Sequence, residues 1–251
     1  MMNENAYGHL KRLRWIVSHR RGEDRVVEIG CGTGRMIALP LALMGYRLIG
    51  VDPDGESIAF GQELFRRSGI DPGILRKGDM SSIDFLADVV IASEVIEHLC
   101  DRDLVNGVNA LRHMVKQGGK LLVTVPSGYG WFELESLLWS KARLGKLFER
   151  ARVDTIYRKL KKRFFGPDVE DFTPSTLSAS PHVQRFTYRS IQRYLEDSGF
   201  EIIDSTGSVF FAGPFSNLFF TGIGPAMRLN CLIGSCLPTI ASGFYIACRR
   251  R

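Results

Sequence analysis

The chain has 251 residues, enough for one well-filled α/β domain with insertions or for two small domains. A hydrophobic share of 45% with 24% charged residues excludes a disordered chain, and a net charge of +6 permits an anionic partner without naming one. Five cysteines (31, 100, 231, 236 and 248) contain no Cys-x-x-Cys pair, so neither a disulfide framework nor a zinc site is expected. A reducing cytosol suits that usage. No apolar run with a small-residue cleavage site opens the sequence and no repeat runs through it, so the expected location is cytoplasmic, with contact at a membrane surface left open.

In chain order, residues 6–20 place Leu10, Leu13, Ile16 and Val17 on one face, predicting a leading helix within 1–24. Tyr7 and His9 on it either edge a ligand pocket or sit on a solvated face. A strand over Arg25–Ile29 runs into Gly30-Cys31-Gly32-Thr33-Gly34, where alternate glycines let the backbone turn tightly and approach a ligand. The N–H groups of the following helix favour an anionic group in that turn. Dinucleotide-binding proteins use a related device, but their spacing is Gly-x-Gly-x-x-Gly, and here the acidic Glu28 ends the strand. The helix is expected from Thr33 to Met44, kinked or shortened by Pro40.

A second strand, Arg47–Val51, ends at Asp52, beside Pro53 and placed to accept hydrogen bonds from ribose hydroxyls. Asp54 supplies the cap for a helix over Glu56–Ser68. A third strand, Gly73–Arg76, leads to Gly78-Asp79-Met80; a fourth, Asp88–Ala92, is a near-continuous apolar run suited to a sheet covered on both faces. It ends in Ser93-Glu94-Val95-Ile96-Glu97-His98. A helix over Asp101–Lys116, a Gly118-Gly119 stop and a fifth strand over Lys120–Val125 follow. Strand, helix, strand in this alternation predicts a doubly wound α/β fold, with ligands at the carboxyl ends of the strands.

The pattern breaks at 127–181. Trp131–Phe165 holds ten Lys/Arg against four Asp/Glu, interleaved with aromatic and leucine residues. It reads either as basic amphipathic helices for an anionic surface or as a helical lid with a solvated basic face. Pro167–Pro181 is expected as a loop. Thr187 then caps a helix through Ser198 that Gly199 closes, followed by strands over Phe200–Ser205 and Ser242–Arg249. In the stretch 206–241 the one charged residue is Arg228, and glycines and prolines interrupt every long apolar run. An apolar lid, a patch dipping into a bilayer or an oligomer interface fits it better than a transmembrane helix.

The phrase Glu28-Ile29-Gly30-Cys31-Gly32-Thr33-Gly34 resembles the first motif of class I S-adenosylmethionine-dependent methyltransferases. The likeness covers 25–126 and 182–249, including Phe186-Thr187 through Ile202. It implies one Rossmann-like domain over 1–251: a mostly parallel, seven-stranded sheet with an antiparallel last strand and helical insertions. It further implies that Glu28, Gly30, Cys31, Gly32 and Gly34 lie against the methionine part of S-adenosylmethionine, with Asp52 and Pro53 at the ribose. Asp79 and Met80 would meet the adenine, and Ser93 and Glu94 would border it.

Methyl transfer is an in-line displacement that needs alignment, exclusion of water, and a base or a metal at the acceptor oxygen. Were the chain helical after the fourth strand, Glu94, Glu97 and His98 would share one face and suit Mg2+ or Mn2+. This segment resembles small-RNA 2′-O-methyltransferases, where such glutamates and histidines bind a divalent ion, and quinone O-methyltransferases. The resemblance places His182 as the later histidine. His98 or His182 as a metal-free general base, and residues that only edge the pocket, stay open as alternatives. The expected acceptor is a small-molecule, lipid-linked or sugar oxygen; RNA is the second candidate, and a non-catalytic cofactor-binding module the third.

Overall fold

The structure is a computed structural model that describes residues 4–140 and 182–251. Pro167–Pro181 and the part of the basic insertion from 141 to 165 lie outside the described residues. Seven strands form one sheet in the order β3-β2-β1-β4-β5-β7-β6. They are β1 (Val26–Ile29), β2 (Leu48–Asp52), β3 (Leu75–Lys77), β4 (Ala87–Ser93), β5 (Val115–Pro126), β6 (Phe200–Gly207) and β7 (Gly243–Arg250). β1 pairs in parallel with both β2 and β4, so that Glu28 lies level with Gly50 on one side and Ile91 on the other. β2 with β3 and β4 with β5 are also parallel, and the last strands supply the antiparallel part. The apolar runs of β1 and β4 are buried on both faces, as strands between two helical layers require. Since β2 and β3 lie to one side of β1 and β4 to the other, the strand order reverses between β1 and β4, which opens a crevice at their carboxyl ends.

The helices follow the expected pattern with two local corrections. α1 (His9–Ser18) buries Leu13, Trp15 and Ile16. α2 spans only Ala38–Leu43, because residues after the glycine turn continue as turns. Pro40 falls in its first turn, where a missing N–H leaves no helical hydrogen bond unmade, so it marks the start and makes no kink. α3 (Gly55–Arg67) is capped by Asp54, which accepts from the N–H groups of Glu56 and Ser57. α4 (Asp101–Met114) ends before Gly118-Gly119, and those glycines lie inside β5. They make no helix stop: Gly118 adopts φ +72° and the β4–β5 register shifts between Ala87 and Val89.

The described residues fall into two compact units, 15–125 with 182–205 and 245–251, and 4–14 with 126–140 and 206–244. The first holds most of the sheet. In it, the helix α6 (Tyr188–Asp197) begins with a capping box between Thr187 and Ser190, and Gly199 follows it at φ +86°.

The second unit contains α5 (Trp131–Ser140), α7 (Pro214–Phe220) and α8 (Gly224–Cys236). Its irregular backbone is held by polar side chains, as buried N–H and C=O groups demand. The buried Glu135 carboxylate accepts from Ser216 N at 2.9 Å, from the Ser216 hydroxyl and from Trp131 Nε1. Asn230 accepts from Phe210 N and Phe211 N at 3.1 and 2.7 Å and donates to Phe211 O at 2.8 Å. Lys11 Nζ donates to the carbonyls of Gly207, Cys231 and Ser208. Around them Trp131, Phe210, Phe211 and Phe220 form an aromatic cluster. Among the described residues no helix is long and apolar enough to cross a membrane.

Candidate functional site: the glycine turn and the tip of the fourth strand

The turn after β1 is built from left-handed glycines. Gly30, Gly32 and Gly34 take φ +67°, +54° and +67°, a region L side chains rarely enter. Each has a different reason to lack a side chain. A Cβ on Gly30 would stand 2.5 Å from Val95 Cγ2, and one on Gly34 would press on Leu75 and Phe65, so these two glycines serve packing. A Cβ on Gly32 would meet no heavy atom within 4 Å; there the missing side chain leaves open space over the turn. Cys31 contributes backbone only, since its side chain is buried beside Gly50, and burial pushes its thiol far above the usual range.

Two buried carboxylates lie on the strands that lead to this turn, Glu28 one residue before the end of β1 and Asp52 at the end of β2. Asp52 ties the turn together: one oxygen accepts from Gly32 N at 2.7 Å and the other from Asp54 N at 2.9 Å. Each carboxylate oxygen has a second lone pair for a ligand donor. Pro53 next to it is exposed. This chemistry fits S-adenosylmethionine: a cradle without Cβ atoms, with acceptors for an ammonium group and for ribose hydroxyls. At the end of β3, exposed Asp79 caps the short turn Met80–Ser82, accepting from Ser81 N at 2.8 Å. Those Ser81 hydrogen bonds hold its carboxyl below the usual range. Met80 is half-buried, its sulfur toward Gly107.

At the tip of β4 the chain does not turn helical as the Glu-x-x-Glu-His spacing suggested. Glu94 takes φ +57°, the sole non-glycine among the described residues with positive φ, and a short 3-10 turn, Ile96–His98, follows. That twist sends the Glu94 carboxylate to Thr124, whose hydroxyl donates to Oε1 at 3.0 Å and also bonds the Ser93 hydroxyl at 2.8 Å. Glu94 therefore stands apart from the group in which it was expected. Glu97, His98 and His182 do come together, each offering a ligand atom within 4.8 Å of the others. Glu97 is fully buried, with His98 Nε2 3.8 Å from its Oε1, and the two histidine rings meet edge-on at 5.2 Å.

His182 reaches this place because its neighbours are clamped to the β4 tip. Val183 N and Gln184 N both donate to Glu97 O at 2.9 Å, and Gln184 Nε2 donates to Leu99 O and Asp101 Oδ1. Gln184 had no sequence signal, since an isolated glutamine in a connecting segment looks like any solvated residue. Thr124 had one: it is the polar residue that interrupts the apolar run Leu121–Val125, near a carboxyl strand end.

The profile of a family described as "Methyltransferase domain" matches residues 6–205. The chain belongs to the class I methyltransferases. Members of this family are S-adenosylmethionine-dependent, which implies that cofactor for this chain. Among curated relatives it is similar to a ubiquinone biosynthesis O-methyltransferase of Agrobacterium fabrum, 33% identical over 105 residues, covering 41% of each chain. Similar too is the mitochondrial enzyme of that name from Homo sapiens, 29% identical over 125 residues, covering 45% of this chain and 32% of that one. Both matches thus span less than half of the relative's length. In architecture this class I methyltransferase is similar to magnesium protoporphyrin IX methyltransferase from Synechocystis with bound SAH: TM-score 0.56 at 14% identity, covering 98% of this chain and 83% of that one. It is also similar to an S-adenosylmethionine-dependent methyltransferase from Thermotoga maritima, TM-score 0.56 at 17% identity, covering 98% of this chain and 90% of that one.

Proposed function

We propose that the chain transfers the methyl group of S-adenosylmethionine to an oxygen of a small-molecule acceptor. The observation that carries this reading is the open, left-handed Gly32, its N–H bound by the Asp52 carboxylate, with buried Glu28 on the strand leading into the turn at the sheet's switch point. The cofactor supplies an electrophilic methyl on a sulfonium, so the protein's work is alignment and proton removal. Glu28 and Asp52 hold the amino and ribose ends, and the Gly30–Gly34 turn gives close backbone approach. His98 or His182 accepts the acceptor hydroxyl proton as the oxygen attacks. The names of the ubiquinone O-methyltransferase relatives support an aromatic or lipid-linked hydroxyl as the acceptor.

The grouping of Glu97, His98 and His182 supports a divalent cation at the acceptor end of the same site. With Glu94 turned to Thr124, the donors are two imidazoles and one carboxylate, which suits Mn2+ better than Mg2+, a cation that prefers oxygen ligands. Such an ion would lower the pKa of an acceptor hydroxyl. Two arms test the proposal. Transfer of labelled methyl from the cofactor into extracts separated into lipid, RNA, glycan and protein fractions should label the lipid-soluble fraction. Label confined to RNA would replace the small-molecule acceptor with RNA, and failure of the cofactor to bind would remove the reading altogether.

A further inference from the structure

α8 is inverted relative to an ordinary surface helix. It buries Met227, Asn230 and Gly234 and turns Pro225, Arg228, Leu229, Leu232, Ser235 and Cys236 outward. Leu229 and Leu232 are 57% and 59% exposed, and Leu237 and Ile240, just beyond the helix, are 48% and 51% exposed. Single exposed leucines are common, but four large exposed apolar residues, two on α8 and two just beyond its end, mark an apolar surface. The inner face is fixed by close backbone contact: a Cβ on Gly234 would stand 2.5 Å from Ser208 O, and one on Gly207 would stand 2.1 Å from Gly234 O. The helix therefore cannot roll its leucines inward without losing that fit.

Charge selects what covers the patch. From 206 to 248 the one charged residue is Arg228, which lies on the outward stripe. Burial pushes the Cys231 thiol on α8 up to about 11, and exposed Arg14 is near enough to oppose that rise in small part. A second copy docked on this face about a two-fold axis would bring Arg228 toward its own equivalent, with no carboxylate in 206–248 to neutralise the pair; Glu4, whose carboxylate lies against Cys231 on α8, is already engaged by the N–H groups of Leu10 and Lys11. An anionic headgroup supplies the missing counter-charge, and the acyl boundary takes the leucines. We propose that the outer face of α8, with Leu237 and Ile240, docks on an anionic phospholipid surface. This surface belongs to the second unit and stands whether or not the acceptor assignment does.

The test uses the full chain with phosphatidylglycerol-containing and pure phosphatidylcholine vesicles. The wild type should sediment with the anionic vesicles. Leu229→Glu/Leu232→Glu should cut its partition roughly tenfold or more, with cofactor affinity and melting temperature kept. Arg228→Glu should weaken binding to anionic vesicles alone. Leu232→Trp, which adds no charge, should show blue-shifted emission on vesicle addition, and it decides the matter if the double variant fails to fold. The proposal is overturned by any of four results: no sedimentation of the wild type, undiminished binding of the folded double variant, no shift for Leu232→Trp, or a vesicle-free dimer that the leucine substitutions dissociate.

Discussion

Asp52 both anchors the glycine turn and is assigned to the ribose, so its replacement tests the cofactor site at one position. Asp52→Asn should weaken S-adenosylmethionine binding roughly tenfold to a hundredfold, the loss of about 1.5–3 kcal/mol of charge-assisted hydrogen bonding. Titration calorimetry reads this directly, and unchanged affinity would remove the ribose assignment. The neighbouring glycines should separate packing from binding. Gly30→Ala clashes with Val95 and is expected to destabilise the fold by about 1–3 kcal/mol, with partial rescue by Val95→Ala. Gly32→Ala meets no protein atom, so beyond its backbone strain its main effect should fall on cofactor affinity. His9 gives a pH signature. Burial first, then the Arg12 guanidinium, depresses it from 6.5 to about 3. The unfolded chain therefore takes up a proton that the folded one refuses, and stability should fall as pH drops from 6.5 toward about 3. Above that window His9 contributes no slope. Melting curves should show the decline, and His9→Gln should flatten it; an unchanged slope would show that other groups carry it.

At the scale of elements, the tip of β4 and the segment ahead of α6 act together. Val183 and Gln184 grip the Glu97 carbonyl, and that grip brings His182 to His98. If a cation acts here, excess chelator should abolish turnover, Mn2+ should restore it, and Glu97→Gln should mimic the chelated enzyme. Full turnover in chelator would leave a histidine base as the active group. Gln184→Ala removes the bonds to Leu99 and Asp101 while leaving every candidate ligand in place. It should lower turnover more than it lowers cofactor affinity, since the residue positions His182 and touches no cofactor-binding group named above. The alternation of strands and helices, the Asp54 and Thr187 caps and the apolar runs of β1 and β4 were legible beforehand, because each is a short-range consequence of propensity and patterning. The direction of Glu94 was not. The i, i+3, i+4 spacing of 94, 97 and 98 suggested one helical face, whereas the left-handed residue and the Thr124 bond turn the Glu94 carboxylate away.

For the whole molecule, cofactor binding should appear as stability. S-adenosylmethionine at about a hundred times its dissociation constant should add about 2.7 kcal/mol to unfolding, and NAD(H) should add none. Thermal melts with each ligand check this; a shift with the nicotinamide alone would point to a reductase. Residues 25–126 alone determined the glycine turn, the acids at strand tips and the doubly wound order around them, since steric rules for turns and right-handed crossovers act over short stretches of chain. Tertiary structure decided what lies far apart in sequence: β7 between β5 and β6, His182 beside Glu97, and the outward leucines of α8. The 224–236 stretch is apolar on nearly every side, so its periodicity names no inner face. The face was chosen by where two glycines let backbones touch, and close packing of that kind exists only once distant segments have met.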